Sequence, residues 1–430
     1  MSSSAPRGEG LTGDTAPPGS LSPAARARGR RLVIATHPLG MTHHRVFTAE
    51  LPTLALLGLG AGDAIVGLQR SLEPLLQVLR LPTLRATARW RMRNILLVGQ
   101  VAAIVCATPL VFYGSLRALE PPRGLVIAMA SLLLCNAALA IAQTVWFPLL
   151  YHYPERDQTG RFFGIVRTGW HAALIVYFLA AQRWLGLHPG GFGALFAVGW
   201  LCGVVRSALL TGLPERARDD GPAPPAPRLR EPFRDARFRR YLAAIALGGG
   251  ARRAAAPFAI VLLRRHLGLS DADLVVATLA TYAGGLVSLY AFGVAADRLG
   301  TRPVFWVTSC LGAAATLGLA TLPFAGPRTL ALATLLFFLQ AVCTAGFDVA
   351  DTNLIFRIAP SPDPTTTLVT ASVTINLLTG LAPLVAGLVL AAVLHAGTVP
   401  ETAYGALFVL CAVLQLAALL PLRGLERGAH

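Results

Sequence analysis

Long stretches of this chain carry no charged residue. Ile95 to Tyr113, Gly124 to Tyr153 and Pro303 to Gly326 contain no Asp, Glu or Arg. A bilayer core of ~30 Å is crossed by about 20 mostly apolar helical residues, so each block is long enough to span. A helix apolar on every face for that length does not sit at the surface of a soluble domain. The whole chain agrees: of its 430 residues 54% are hydrophobic and 13% charged, with a mean hydropathy of +0.60. Soluble domains carry about 25% charged residues, so too little polar surface remains here for a globule in water. The hydrophobic pattern predicts twelve helical spans, at about 32–59, 66–86, 94–114, 126–151, 164–184, 193–213, 240–266, 273–296, 303–323, 329–356, 368–393 and 404–422. The first two are the least apolar, because they carry His, Arg and Glu.

The net charge is +16 and the sequence contains no Lys. A Lys Schiff base and a Walker-type phosphate loop are therefore excluded. The arginines do not share one soluble face, as a nucleic-acid surface would require. They collect in alternate connectors: Arg26, Arg28, Arg30 and Arg31, then Arg80, Arg85, Arg89, Arg91 and Arg93, then Arg156 and Arg161, Arg298 and Arg302, and Arg423 and Arg427. The other connectors hold few. Cationic connectors stay on the cytoplasmic side, which predicts a multi-pass protein of a bacterial inner (plasma) membrane with both termini cytoplasmic. The six cysteines lie inside apolar blocks without a CxxC spacing and read as small buried hydrophobes. No HExxH, GxSxG or GxGxxG occurs, and neither an enzyme activity nor a metal or other cofactor is expected.

Residues 1–30 are rich in Ser, Pro and Gly, as in a disordered cytoplasmic tail without the apolar core of a signal peptide. Residues 214–239 are charged and Pro-rich and read as a cytoplasmic linker. They divide the chain into six-helix bundles at 31–213 and 240–423, with a short tail at 424–430. The bundles resemble each other: Asp63 in GLGAGDAIVGL matches Asp271 in HLGLSDADLVV, and Pro154 matches Pro360, both about 207 residues apart. Parallel repeats of this kind hold a substrate at their interface near the bilayer midplane.

Between spans eight and nine the chain reads Gly293-Val-Ala-Ala-Asp297-Arg298-Leu-Gly300-Thr-Arg302. This resembles the G-x-x-x-D-R-x-G-x-R signature of the major facilitator superfamily, and the likeness extends over about residues 31–423. It implies an all-α membrane fold of twelve helices in two pseudo-symmetric bundles. In the family, Gly293, Asp297, Arg298, Gly300 and Arg302 would form a gating cluster that latches the outward-facing state. The equivalent first-half positions are Arg89 and Met92, so the acidic residue there has become basic. After span four, Gly160, Arg161, Phe163 and Gly164 resemble a further family turn.

Ionisable groups at membrane depth are costly and point to function. Arg45 lies near the middle of span one, and the repeat offset brings Arg253, beside Arg252, to the equivalent place in span seven. Guanidiniums from both halves facing one cavity favour an anion. The organophosphate antiporter branch of the superfamily is similar in using one Arg from each half. His44 and Asn376 are further candidate substrate contacts. Glu50, Glu73, Asp348 and Asp351 are candidates for carrying a coupling proton, with His43, His44 and His171 as relays. Plainer readings stand beside these: Arg70 and Glu73 can pair at i,i+3, Arg45 can pair with Glu50 or Glu73, and Asp351 can serve only to pair or cap near a helix end. Gln340, Thr344, Asp348 and Asp351 share one face of span ten.

The expectation is a monomeric secondary transporter in the lipid bilayer. It would move a small organic solute, an anion somewhat favoured, with protons as a coupling ion. A proton-driven exporter of amphipathic compounds, with Glu50 and Glu73 unpaired, and a non-transporting scaffold or receptor are the alternatives.

Overall fold

The computed structural model describes residues 21–87, 89–154, 159–215, 230–358 and 365–423. Among these the chain is helical throughout, with no strand. The first segment is α1 (Pro23–Thr48) continued by α2 (Glu50–Gly58), and the second is α3 (Asp63–Leu76) continued through a 3₁₀ turn into α4 (Arg80–Thr87). The first half then adds α5 (Met92–Val111) with the short α6 (Tyr113–Ala118), α7 (Arg123–Leu150), α8 (Thr159–Leu187) and α9 (Phe192–Leu210). The second half comprises α10 (Ala236–Val261), α11 (Asp271–Leu299), α12 (Thr301–Gly318), α13 (Thr329–Ile358), α14 (Thr365–His395) and α15 (Pro400–Ala417) with α16 (Leu419–Leu422). Twelve segments thus stand where twelve were expected. Ten helices among the described residues are long and apolar enough to cross a membrane, and of the twelve segments the first two, α1 with α2 and α3 with α4, fall short. Helix starts recur across the halves about 207 residues apart, as Asp63 and Asp271, Arg123 and Thr329, and Thr159 and Thr365 show.

Two boundaries differ from expectation. Residues 23–30, read as part of a polar tail, belong to α1. Ser22 caps that helix, its hydroxyl accepting the Ala25 N–H at 3.2 Å, and Pro23 takes the first position, where no N–H is needed. Residues 236–239, read as linker, open α10, with Asp235 accepting the Arg237 N–H at 2.8 Å. Residues 1–20, most of the linker and 424–430 lie outside the described residues.

The first segment breaks at Ala49, whose backbone (φ −96, ψ −136) leaves the helical region. Pro52 explains the place of the break, because its ring excludes a straight helix through the preceding turn. Arg45 and Glu50 therefore flank a discontinuity. The end of α10 widens into a π turn over Leu262–His266, which carries Arg264 and Arg265. Such turns locally redirect side chains and recur at functional sites.

Three apolar cores fill the molecule. One joins both halves, with Leu54, Val66 and Phe178 of the first packed in the same cluster as Phe258, Tyr282 and Leu390 of the second. The other two each stay within one half: Phe238, Phe305 and Phe347 in the second, Val33, Trp146 and Phe162 in the first. These separate cores lie at the end of the bundle where the described chain begins and ends. The halves are therefore sealed together at one end and parted at the other. α3 against α14 and α8 against α11 form the principal helix pairings between them.

Candidate functional site

The seal is polar as well as apolar. Arg264 donates from Nη1 to the Leu54 carbonyl at 2.6 Å and pairs through Nε with Asp271 at 2.7 Å. Its neighbour Arg265 donates to the Ala61 carbonyl and pairs with Asp63 at 3.8 Å. Asp63, almost fully buried at the start of α3, also accepts the Tyr404 hydroxyl. Each arginine of the π turn thus takes one of two repeat-related aspartates, and both reach across to first-half carbonyls. Phe178 and Tyr282 stack across the halves at 5.0 Å, and the Tyr282 hydroxyl donates to Glu50 at 3.5 Å.

Beneath this seal lies a cavity of about 600 Å³ between the halves. The broken first segment gives it Arg45 and Glu50, α3 gives Arg70, α8 gives Arg167, Trp170 and His171, and α10 gives Arg252. α11 contributes Tyr282, and α13 contributes Gln340, Thr344 and Asp348 from one face. The volume suits a small organic molecule.

The expected pairings are rearranged. Glu50 pairs with Arg70 at 3.4 Å, and Glu73 pairs with Nε2 of His44 at 3.1 Å, so the i,i+3 pairing of Arg70 with Glu73 is not formed. The kink at Ala49 places Glu50 against Arg70, and Glu73 is left to His44. His44 is joined further to Gln143 at 3.1 Å and through it to Arg80 at 3.0 Å. Arg45 makes no ion pair among the described residues, and its Nε is buried without a hydrogen-bond partner. Arg252 sits 3.9 Å over the Phe347 ring, with Nε and Nη1 unpartnered. Arg253 is exposed between the halves, where its Coulombic neighbours are Glu73, Asp348, Arg70 and Arg45.

The structure does not bring every candidate to the cavity. Asn376 donates to the Ser372 carbonyl at 2.8 Å within α14 and is not among the lining residues. Asp351 turns away from Asp348 and accepts the Tyr241 hydroxyl at 2.7 Å. His43 is buried against the Gly199 carbonyl at 3.0 Å, a packing role, whereas His171 lines the cavity. Arg167, Trp170 and Tyr282 were not singled out from the sequence. Arg167 carried a usable signal, as an ionisable group inside a predicted span. The aromatics carried none, because bilayer helices hold many aromatic residues with no contact to solute.

The residues expected to form a gating cluster do not pair with one another. Asp297, Arg298 and Arg302 are exposed and make no ion pair among the described residues. Gly300 terminates α11 at φ 85, a conformation that favours glycine, whereas a β-carbon on Gly293 would meet nothing within 4 Å. No neighbouring helix approaches Gly293 in this arrangement, where the halves have parted. In the first half, where Arg89 replaces the acidic residue, another carboxylate reaches a helix N-terminus. Glu215 accepts the N–H groups of Met92 at 2.8 Å and Arg93 at 3.3 Å. Beside it the Tyr153 hydroxyl donates to the Pro214 carbonyl at 2.7 Å. Burial, with the Glu215 charge adding to it, pushes that hydroxyl well above the ordinary tyrosine range.

Comparison with known proteins accords with this geometry. Residues 241–429 match the family model described as Major Facilitator Superfamily. A search of curated protein sequences finds no match. Among solved structures, a POT family transporter in complex with a thioalcohol-conjugated peptide superposes with a TM-score of 0.72 at 11% identity, covering 93% of this chain and 97% of that one. A D-xylose–proton symporter gives 0.67 at 14% identity over 90% and 97%. A bacterial homologue of the iron transporter ferroportin, in an inward-facing state, gives 0.66 at 16% identity over 93% and 99%. At these identities the structural likeness shows the fold, and residues 241–429, which carry the Asp297–Arg302 motif, are the part of this multi-pass membrane protein that matches the major facilitator superfamily.

Proposed function

We propose that the protein is a secondary active transporter that moves a small organic anion across a bacterial inner membrane by alternating access. The observation that carries this reading is a cavity between the halves, closed at one end and lined by Arg45 and Arg252, each of which also has a buried guanidinium N–H without a partner. Buried arginine donors left unpaired are costly, and a planar or tetrahedral oxyanion satisfies them. The rival exporter reading needs Glu50 and Glu73 unpaired, and both have partners. With the arginine-rich connectors on the cytoplasmic side, both termini are cytoplasmic and the cavity opens inward. An unlatched Asp297–Arg302 cluster fits that state. Rocking of the bundles would break the Arg264–Arg265 seal and re-form contacts at the opposite end.

The test is thermal stability of the purified protein against organic phosphates, carboxylates and lipophilic cations. A bound ligand stabilises by about 2.7 kcal/mol at a hundredfold excess over its dissociation constant. Stabilisation by anions that is lost in Arg45→Ala and Arg252→Ala supports the reading. Stabilisation by lipophilic cations alone, unaffected by Arg45→Ala, replaces it with the exporter. A protein that moves no solute in liposomes yet co-purifies with a partner would instead be a scaffold or receptor.

A further inference from the structure

The charges around the cavity do not balance. Four arginines line it, Arg45, Arg70, Arg167 and Arg252, against two carboxylates, Glu50 and Asp348. Of the nearby charges, Arg253 and Arg80 are matched in number by Glu73 and Asp351 and leave the excess unchanged. Arginine stays protonated at any physiological pH, so the excess of two positive charges cannot be relieved by proton loss. Arg70 is matched by Glu50. Asp348 has no ion pair within 4 Å among the described residues and neighbours Arg252, Arg253 and Arg167, so it offsets only one of them.

In the open state water screens this excess. In an occluded state, with the bundles closed at both ends, the same guanidiniums would be cut off from solvent, and an uncompensated charge is then expensive to bury. A monoanion would leave one positive charge over, whereas a cargo carrying two negative charges brings the sum to zero. We infer that the transported solute is a dianion, such as a phosphate monoester or a dicarboxylate. This rests on the anion reading above and sharpens it. Arg45 and Arg252 come from opposite halves, line the cavity and make no ion pair within 4 Å among the described residues, so each half has a guanidinium to give to such a cargo. Trp170 and Tyr282 offer apolar surface for the remainder of the molecule.

The test uses pairs of ligands that differ in charge and little else: methyl and phenyl phosphate against methyl and phenyl sulfate. At about pH 8 the phosphate monoesters are dianions, their second ionisation lying near pH 6, while the sulfates are monoanions. Binding to the full-length protein is measured by calorimetry or thermal shift. The phosphate should bind about tenfold or more tightly than the sulfate of the same body, the worth of one extra hydrogen-bonded charge. Asp348→Asn raises the cavity sum by one and should widen that preference, and Arg167→Gln lowers it by one and should narrow it. Arg167 has an exposed side chain, so its variant keeps the fold testable if the Asp348 variant does not accumulate. Equal binding of phosphate and sulfate, or a preference that ignores both substitutions, overturns the dianion inference and leaves the anion reading standing. Binding of neither pair, with binding of a lipophilic cation, overturns both.

Discussion

Gly67 of α3 and Gly387 of α14 lie back to back where the two halves cross. A β-carbon on Gly387 would stand 3.1 Å from the Gly67 Cα and 2.5 Å from the Asp63 carbonyl, and one on Gly67 would strike the Pro383 carbonyl. The backbones approach so closely that neither position has room for a side chain, as at small-residue crossings in membranes generally. Gly67→Leu should therefore disfavour the sealed state, by about 1–3 kcal/mol for an overpacked contact. Spin labels on cysteines at Leu59 and Thr402, in a background without the native cysteines, should move apart in the variant. An unchanged distance distribution would show that the crossing tolerates a side chain.

Asp63 links the halves through Arg265 and Tyr404. Asp63→Asn removes the charge while keeping the shape, and the sealed state should lose about 1–3 kcal/mol, the worth of hydrogen bonds to a buried carboxylate. Because Arg265 keeps its bond to the Ala61 carbonyl, the loss should be partial. In a double-mutant cycle with Arg265→Gln, the two effects should be less than additive. Strict additivity would mean that the pair does not hold the seal.

Glu73 borders the cavity beside His44, whereas Asp351 is held by Tyr241 away from it. Glu73→Gln should abolish uptake driven by an imposed pH gradient while preserving exchange at equal pH. Asp351→Asn should change neither. Flux assays in proteoliposomes distinguish the two, and the opposite pattern would move the coupling group to α13.

Glu215 caps α5 from the start of the connector between the halves. Glu215→Ala should lower stability by about 0.5–2 kcal/mol, the usual cost of losing a helix cap. Calorimetry should record the lower melting temperature with ligand affinity unchanged. A change in affinity instead would give Glu215 a part in gating.

Much of the fold was legible because the bilayer imposes a strong one-dimensional rule: length of apolar run decides spanning. The weak first two segments were legible too, since their His, Arg and Glu residues are set among apolar ones. Their breaks were less so. The turn at Ala49 follows from Pro52, but where it points Glu50 depends on α3. Arg45, Arg252 and Asp348, picked out because charge at membrane depth is rare, line the cavity. Asn376 and Asp351 were over-read, since a polar residue can bond within its own helix or to a neighbour and leave no trace in sequence. Glu215 was missed because it looked like one more charge in a polar connector.

The sequence by itself determined the number of spans, the two-half repeat, the identity of the family motif and the surplus of arginine at membrane depth. Each is a property of composition or spacing along the chain. Only the tertiary structure decided which carboxylate meets which guanidinium, that Arg264 and Arg265 seal one end, and that Asp297 stands unlatched at the other. Those outcomes depend on how two bundles lean against each other. Some partners are near in the chain, as Glu50 and Arg70 are, while others, such as Arg265 and Asp63, come from opposite halves, and how the bundles lean leaves every local helix and every residue spacing unchanged.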